Sequence, residues 1–285
     1  QRKQVLQLGP GNRVTIHIFH GMIASKYRRR AAFYDRGWIS KMDNFPAVSD
    51  RATMEKYPEA RRLERDALIE QVEWCENFKV VDIQSAGGFV SDRVYQMLGG
   101  QVECYCIEPC ATLRSRLKPV HHPVADPVEC FPSVQDKSMD VALGLAALHH
   151  SGDHLATLKE ARRALKDQGQ ISICDVIEGS NIAAWLNEFV DKHNPVGHQG
   201  RFIEEDTIVR EMELAGFTRV EAVVRQVPWL FDSEEDIPVF FRGLFNLDCT
   251  DTELRRAIAE YFQIVTRRGR MELGWELLYL KADAE

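Results

Sequence analysis

Along the middle of the chain, short apolar runs alternate with longer stretches in which apolar residues recur at helical spacing. The run Val80-Val81-Asp82-Ile83 reads as a buried strand and ends in a small-residue turn, Ser85-Ala86-Gly87-Gly88, after which residues 89–98 read as a helix. A second strand, Val102–Ile107, closes on an acid, Glu108, and a third short strand brings Asp126. A fourth, Met139–Leu145, runs into Ala146-Ala147-Leu148-His149-His150. Residues 155–165 are apolar at helical intervals and stop before Gly169, residues 170–176 form a fifth strand, and residues 204–215 form a helix closed by Gly216-Phe217. Residues 219–227 and 275–280 predict a last pair of strands. Strands alternating with helices predict an α/β fold with a mostly parallel sheet.

Each piece has a chemical reason to stand where it does. Ligands of such folds meet the carboxyl ends of the strands, and the first strand-to-helix turn admits close approach only if its residues are small. An acid about twenty residues further on, at the end of the second strand, is placed to accept both hydrogen bonds of a ribose diol. In these residues and their order, over residues 79–282, the chain resembles the class I, Rossmann-like, S-adenosylmethionine-dependent methyltransferases of small-molecule type. The resemblance implies a seven-stranded, mostly parallel sheet with an antiparallel C-terminal hairpin. It implies a core of residues 76–227 and 271–285, a helical N-terminal lid over residues 1–75 and a helical cap insertion over residues 228–270. It implies S-adenosylmethionine as cofactor, with Asp82, Gln84, Ser85, Ala86 and Gly88 at the first turn, Glu108 and Pro109 at the ribose, Asp126 by the adenine amine, and Leu145 and His149 under the methionine portion.

One departure from the family pattern bears on that assignment. The first turn usually reads acid-x-Gly-x-Gly-x-Gly, whereas here Gln84 and Ala86 replace the first two glycines and only Gly88 remains in place. A Gln84 side chain would fill part of the pocket, hydrogen-bond the cofactor, or mark a domain that has lost it. The same loss weighs more against a NAD-type domain, because a pyrophosphate needs close backbone approach at the helix N-terminus.

Methyl transfer is an in-line displacement, so the protein chiefly aligns the nucleophile and excludes water, and a base matters only when the acceptor must lose a proton. His149 and His150 are the candidates for that role, since imidazole takes a proton near neutral pH. Alternatively one of them caps the following helix. Tyr27 and Tyr34, on a helix expected over residues 23–38 and followed by a charged helix over residues 52–75, would orient the acceptor or simply pack the lid. His193, His198 and Arg201 form a second group on the substrate side, Arg201 being suited to a carboxylate or phosphate. Trp229 opens the cap insertion, whose aromatics would cover an apolar pocket or pair with a second copy of the chain in a homodimer.

Composition narrows the partners. A net charge of -7 disfavours a broad nucleic-acid footprint, although Arg28-Arg29-Arg30 and Arg267-Arg268-Arg270 are locally basic. No Asn/Asp-Pro-Pro-aromatic motif for base amines follows the fourth strand. Seven cysteines at irregular spacing predict neither a disulfide framework nor a zinc site, and no metal is expected; Cys104 and Cys106 share one strand face as packing residues. No apolar run reaches the length of a membrane span and no leader precedes the first segment, so a cytoplasmic location is the default expectation. The expected function is methyl transfer to a small-molecule acceptor at oxygen, nitrogen or carbon. The alternatives are a catalytically silent subunit that stabilises or regulates a protein partner, a nucleic-acid methyltransferase, and an enzyme using the same cofactor for other chemistry.

Overall fold

The apolar runs become strands buried on both faces, as a sheet covered by helices requires. The computed structural model describes residues 51–285 together with two short paired strands, β1 (Val5–Gln7) and β2 (Arg13–Thr15). The chain divides into units of residues 1–42 and 43–285, and every element below belongs to the second. The helix expected over residues 23–38, with Tyr27 and Tyr34, lies outside the described residues, as does the basic run at Arg28–Arg30.

The central sheet comprises β3 (Phe78–Ile83), β4 (Val102–Ile107), β5 (His122–Val124), β6 (Met139–Leu145), β7 (Leu165–Asp175), β8 (Thr218–Gln226) and β12 (Glu276–Ala284). Their order is β5-β4-β3-β6-β7-β12-β8, parallel throughout except for β12, which lies antiparallel between β7 and β8. The predicted sheet and its antiparallel C-terminal pair are therefore present. The chain turns from one half of the sheet to the other between β3 and β6, and a crevice opens at their carboxyl ends, the usual ligand position of such sheets.

The helices of this unit are α1 (Arg51–Lys56), α2 (Arg62–Ile69), α3 (Phe89–Met97), α4 (Ala111–Arg114), α5 (His154–Ala164), α6 (residues 181–193), α7 (Glu205–Leu214), α8 (Asp236–Phe245) and α9 (Asp251–Tyr261). One apolar cluster, on the α2 and α3 side of the sheet, continues without a break into the aromatics of the 228–270 insertion; a second lies under α5 and α7.

Three expectations need correction. The helix over residues 52–75 is two helices, α1 and α2, because Pro58 in the join lacks the N–H that a continuous helix needs. Gly169 does not stop a helix but lies inside β7, where a Cβ would meet the Asp140 carbonyl at 3.1 Å and the Leu165 side chain at 2.9 Å. The cap insertion is helical as expected, in α8 and α9, but its extent differs because it also carries strands. β9 (Trp229–Phe231), β10 (Ile264–Arg267) and β11 (Arg270–Leu273) form a small antiparallel sheet in the order β10-β11-β9, so the insertion runs past residue 270 and the core resumes with β12. A three-residue strand carries no readable alternation, and its partner is some forty residues away in sequence.

Candidate active site

The turn after β3 has the backbone of a glycine turn without all of its glycines. Gln84 has φ 54° and Ala86 φ 48°, in the left-handed region that a Cβ disfavours, and Gly87 and Gly88 follow at 71° and 88°. The two replacements therefore leave the loop's shape intact and are held in a strained conformation by their surroundings. Asp82 anchors the loop by accepting from the Ser91 hydroxyl at 2.6 Å and the Ser91 N–H at 3.3 Å, which ties β3 to α3. Burial pushes its carboxyl up to about 6. Gly87 is favoured for a second reason: a Cβ there would crowd the Arg51 side chain at 3.0 Å and the Leu113 carbonyl at 3.2 Å.

Beside this turn lies Glu108, 1% exposed, at the end of β4. Its Oε1 accepts from the Cys110 N–H at 3.1 Å, while its Oε2 is buried without a hydrogen bond of ordinary geometry, and the carboxylate also faces the N–H groups of Ala86 and Gly87. Gln84 Oε1 and one guanidinium nitrogen of Arg51 are likewise buried without a hydrogen bond there, and Ser85 Oγ has the Cys106 thiol beside it. Buried polar atoms left incompletely satisfied are costly, and their gathering around one loop marks a place shaped for a polar ligand. These groups fit S-adenosylmethionine: Glu108 Oε2 can accept from a ribose hydroxyl, and Gln84, Ser85 and Arg51 offer hydrogen bonds to the cofactor's polar groups. Burial pushes the Glu108 carboxyl up to about 7.

The second half of the crevice is built from side chains. Asp175, the last residue of β7, is fully buried and accepts from the N–H groups of Leu148 at 2.7 Å, His149 at 3.0 Å and Val176 at 2.7 Å. Its Oδ1 also accepts from His149 Nδ1 at 2.6 Å. Burial would raise this carboxyl, but His149 and the converging N–H groups hold it below its ordinary value. The bond fixes the His149 tautomer with its lone pair on Nε2. His150 and His198 lie against the same ring, with centroids 4.0 and 5.6 Å from that of His149. His198 donates from Nδ1 to Asn187 Oδ1 at 3.1 Å; Asn187 belongs to Trp185–Val190, the π-helical stretch of α6. Burial depresses His198 to about 3 and takes His150 well below its ordinary value.

A cleft with about 890 Å³ of space, part of it open solvent, joins the two halves. Asp82, Gln84, Ser85, Ala86, Leu145 and His149 line it from the strand ends and the loops after them. His198, Leu186, Val190, Leu244, Phe245, Trp229 and Trp275 line it from α6, α8 and the segments around them, and Arg61 and Glu64 join them from the start of α2. Trp229 and Trp275 stack at 3.9 Å, and Trp229 Nε1 donates to Glu64 Oε2 at 2.9 Å. Glu64 is fully buried and also pairs with Arg61; burial raises its carboxyl against that partner. The acceptor wall is thus aromatic, with one buried ion pair.

Asp82, Gln84, Ser85, Ala86, Leu145, His149, His198 and Trp229 all line the cleft, whereas Glu108 and Gly88 sit beside the turn without being part of that lining. His150 joins the histidine cluster. Pro109, half-buried, and Asp126, whose Oδ2 accepts from the Ser133 N–H at 2.9 Å, lie outside the cleft lining. His193 is not brought to the cleft: its ring packs on Phe189 at 4.4 Å and its Nδ1 faces the Asp248 carbonyl at 3.3 Å. Arg201 is also turned away, 42% exposed and 3.8 Å from Glu211, although its N–H donates to the His149 carbonyl at 2.9 Å. Both sit on the segment that delivers His198, and sequence adjacency does not settle which side chain faces inward. Sequence reasoning missed Asp175, Asn187, Arg51, Arg61 and Glu64. Asp175 alone carried a signal, an acid closing a parallel strand beside the strand that leads to His149.

A family model described as a methyltransferase domain matches residues 52–222, more than half of the chain, and the protein belongs to that family. Its fold is shared with an S-adenosylmethionine-dependent methyltransferase from Thermotoga maritima at 15% identity and TM-score 0.56, over 82% of this chain and 93% of that one. It is shared also with geranyl diphosphate C-methyltransferase from Streptomyces coelicolor A3(2) at 12% identity and TM-score 0.54, over 86% and 87%. The [4+2]-cyclase SpnF aligns at 14% identity and TM-score 0.52, over 77% and 79%. No curated protein sequence matches the chain.

Proposed function

We propose that the protein transfers a methyl group from S-adenosylmethionine to a small, largely aromatic or apolar acceptor held between the turn after β3 and the aromatic cap. The observation that carries this reading is the single cleft that runs from Gln84, Ser85 and Ala86 past His149 to Phe245, Trp229 and Trp275. Bound S-adenosylmethionine supplies a methyl group already activated on a sulfonium. The chain's own residues hold the two reactants in line and keep water out, which is most of what this reaction needs. Glu108 takes the ribose, the strained turn and Arg51 flank the amino-acid portion, and the tryptophan pair and Phe245 position the acceptor's apolar body. His149, with Nδ1 committed to Asp175, keeps its Nε2 lone pair to receive an acceptor proton.

The silent-subunit alternative loses its motive: Gln84 and Ala86 adopt the glycine conformation, and the polar atoms buried around them have hydrogen-bonding capacity left for a ligand. A nucleic-acid substrate is disfavoured because Arg270 pairs with Asp232 and Glu59 and Arg267 lies against Glu272. The insertion's Phe240 and Phe241 are fully buried, so its aromatics serve the cap. Among the described residues no helix is long and apolar enough to cross a membrane.

Calorimetric titration with S-adenosylmethionine and S-adenosylhomocysteine, with NAD as comparison, tests the cofactor half. Micromolar binding of the first two alone is expected. Absence of binding overturns the reading. A screen of hydroxylated aromatic acceptors with labelled methyl donor then tests the acceptor half.

A further inference from the structure

The buried histidine cluster has more order than proton transfer requires. His149, His150 and His198 each bring a ring nitrogen to within 4.8 Å of the other two, and among the described residues no other group of three metal-ligating side chains converges in this way. They come from separate places in the chain, the 3-10 turn after β6 and the segment following α6, and all three are buried. Two of them are oriented from behind. Asp175 Oδ1 accepts the Nδ1 proton of His149 at 2.6 Å, and Asn187 Oδ1 accepts that of His198 at 3.1 Å. Carboxylate and amide oxygens only accept here, so each Nε2 is the nitrogen that carries the lone pair. An acceptor behind the imidazole that fixes the tautomer and aims the other nitrogen is how proteins prepare histidine as a metal ligand.

We infer that His149, His150 and His198 form a binding site for a divalent transition metal ion of the zinc type, set in the wall of the acceptor cleft. The inference rests on the proposed methyltransferase reading and assigns that reading a cofactor. Three neutral imidazoles select Zn²⁺, Co²⁺, Ni²⁺ or Fe²⁺ over Mg²⁺ and Ca²⁺, which favour oxygen ligands. Nitrogens at about 2.1 Å from a tetrahedral ion stand ~3.4 Å apart, so the rings must close by roughly 1.4 Å from the 4.8 Å limit, a small rotation of side chains. Three protein ligands with a position left open is the arrangement of catalytic zinc sites. Among the described residues no fourth side chain joins these three, and His149 and His198 line the cleft, so a fourth position on that side suits an oxygen or nitrogen of the acceptor. Metal ligation and proton acceptance by His149 Nε2 exclude each other, and the metal titration decides between them.

The test is titration of the full, chelator-treated chain with Co²⁺, read by visible d–d absorption, with S-adenosylhomocysteine binding measured by calorimetry on the same sample. One equivalent of Co²⁺, displaced by Zn²⁺, is expected. His198→Ala should weaken it at least tenfold in a chain that circular dichroism shows to be folded, and a Cys75→Ser/Cys130→Ser variant, lacking the two exposed thiols, should bind as the parent does. X-ray absorption of the Zn²⁺ complex of the parent, which depends on no variant, should show nitrogen and oxygen neighbours at about 2.0–2.1 Å and no sulfur. No Co²⁺ binding, binding that survives His198→Ala, or a sulfur neighbour overturns the inference. If S-adenosylhomocysteine binds and Co²⁺ does not, the metal site falls and the methyltransferase reading stands; if neither binds, both fall.

Discussion

The two halves of the cleft are made in opposite ways. The cofactor half, around residues 82–88 and Glu108, is a matter of backbone: small residues, positive φ angles and acceptors left open. The acceptor half, around His149, His198 and the aromatic cap, is a matter of side chains contributed by β7, α6, α8 and the strands of the insertion, each locked by a partner. A backbone site tolerates the replacement of glycines so long as the loop keeps its path. A side-chain site depends on every one of its supports, and changes to its partners should therefore cost more.

The largest effect is expected at Asp175. Asp175→Ala strips His149 and three backbone N–H groups of a buried acceptor, and removing one side of such a network costs about 3–5 kcal/mol. Urea denaturation should show that loss; a change below 1 kcal/mol would mean that Asp175 is not the keystone of this half. Next is Glu108→Ala, which should weaken S-adenosylhomocysteine binding by about 2 kcal/mol, roughly thirtyfold, while leaving acceptor binding alone. The same group sets a pH dependence. With its carboxyl raised to about 7, the ionised form that accepts most strongly from a ribose fills as pH rises through 7 and empties below it. Affinity for S-adenosylhomocysteine should therefore fall several-fold between pH 8 and pH 6, and Glu108→Gln should flatten the profile.

Phe245→Ala should mirror Glu108→Ala from the other half. Removing an aromatic wall should raise the KM for an apolar acceptor about tenfold, worth ~1.4 kcal/mol, with cofactor affinity unchanged. If both affinities moved together, the halves would not be separable. The smallest effect is expected at the turn. Gln84→Gly relieves a left-handed backbone angle but frees the unfolded chain, so a net stabilisation of about 0.5 kcal/mol is expected in a thermal melt. Clear destabilisation would show that the Gln84 side chain supports the loop.

The sheet was legible because its strands are short apolar runs closed by turn residues, and β4 and β6 fall on their expected bounds. The turn after β3 and Glu108 were legible for a related reason: a loop of small residues followed by an acid one strand later is a local pattern. Even so, periodicity could not tell that Gln84 and Ala86 would accept glycine angles. The acceptor half resisted. His193, Arg201 and His198 look alike in sequence, and only packing against Asn187 and the His149 ring turns His198 inward while the other two face away.

What the amino-acid sequence determined by itself is the order of strands and helices and the position of the small-residue turn and of the acid that closes the next strand, because these follow from hydrophobic period and from neighbours along the chain. What the tertiary structure alone decided is the meeting of Asp175 with His149, of Glu64 with Trp229, and of three histidines in one wall. Those contacts join residues 26, 165 and about 50 positions apart, and they form only when buried polar groups from distant elements must find partners in the same space.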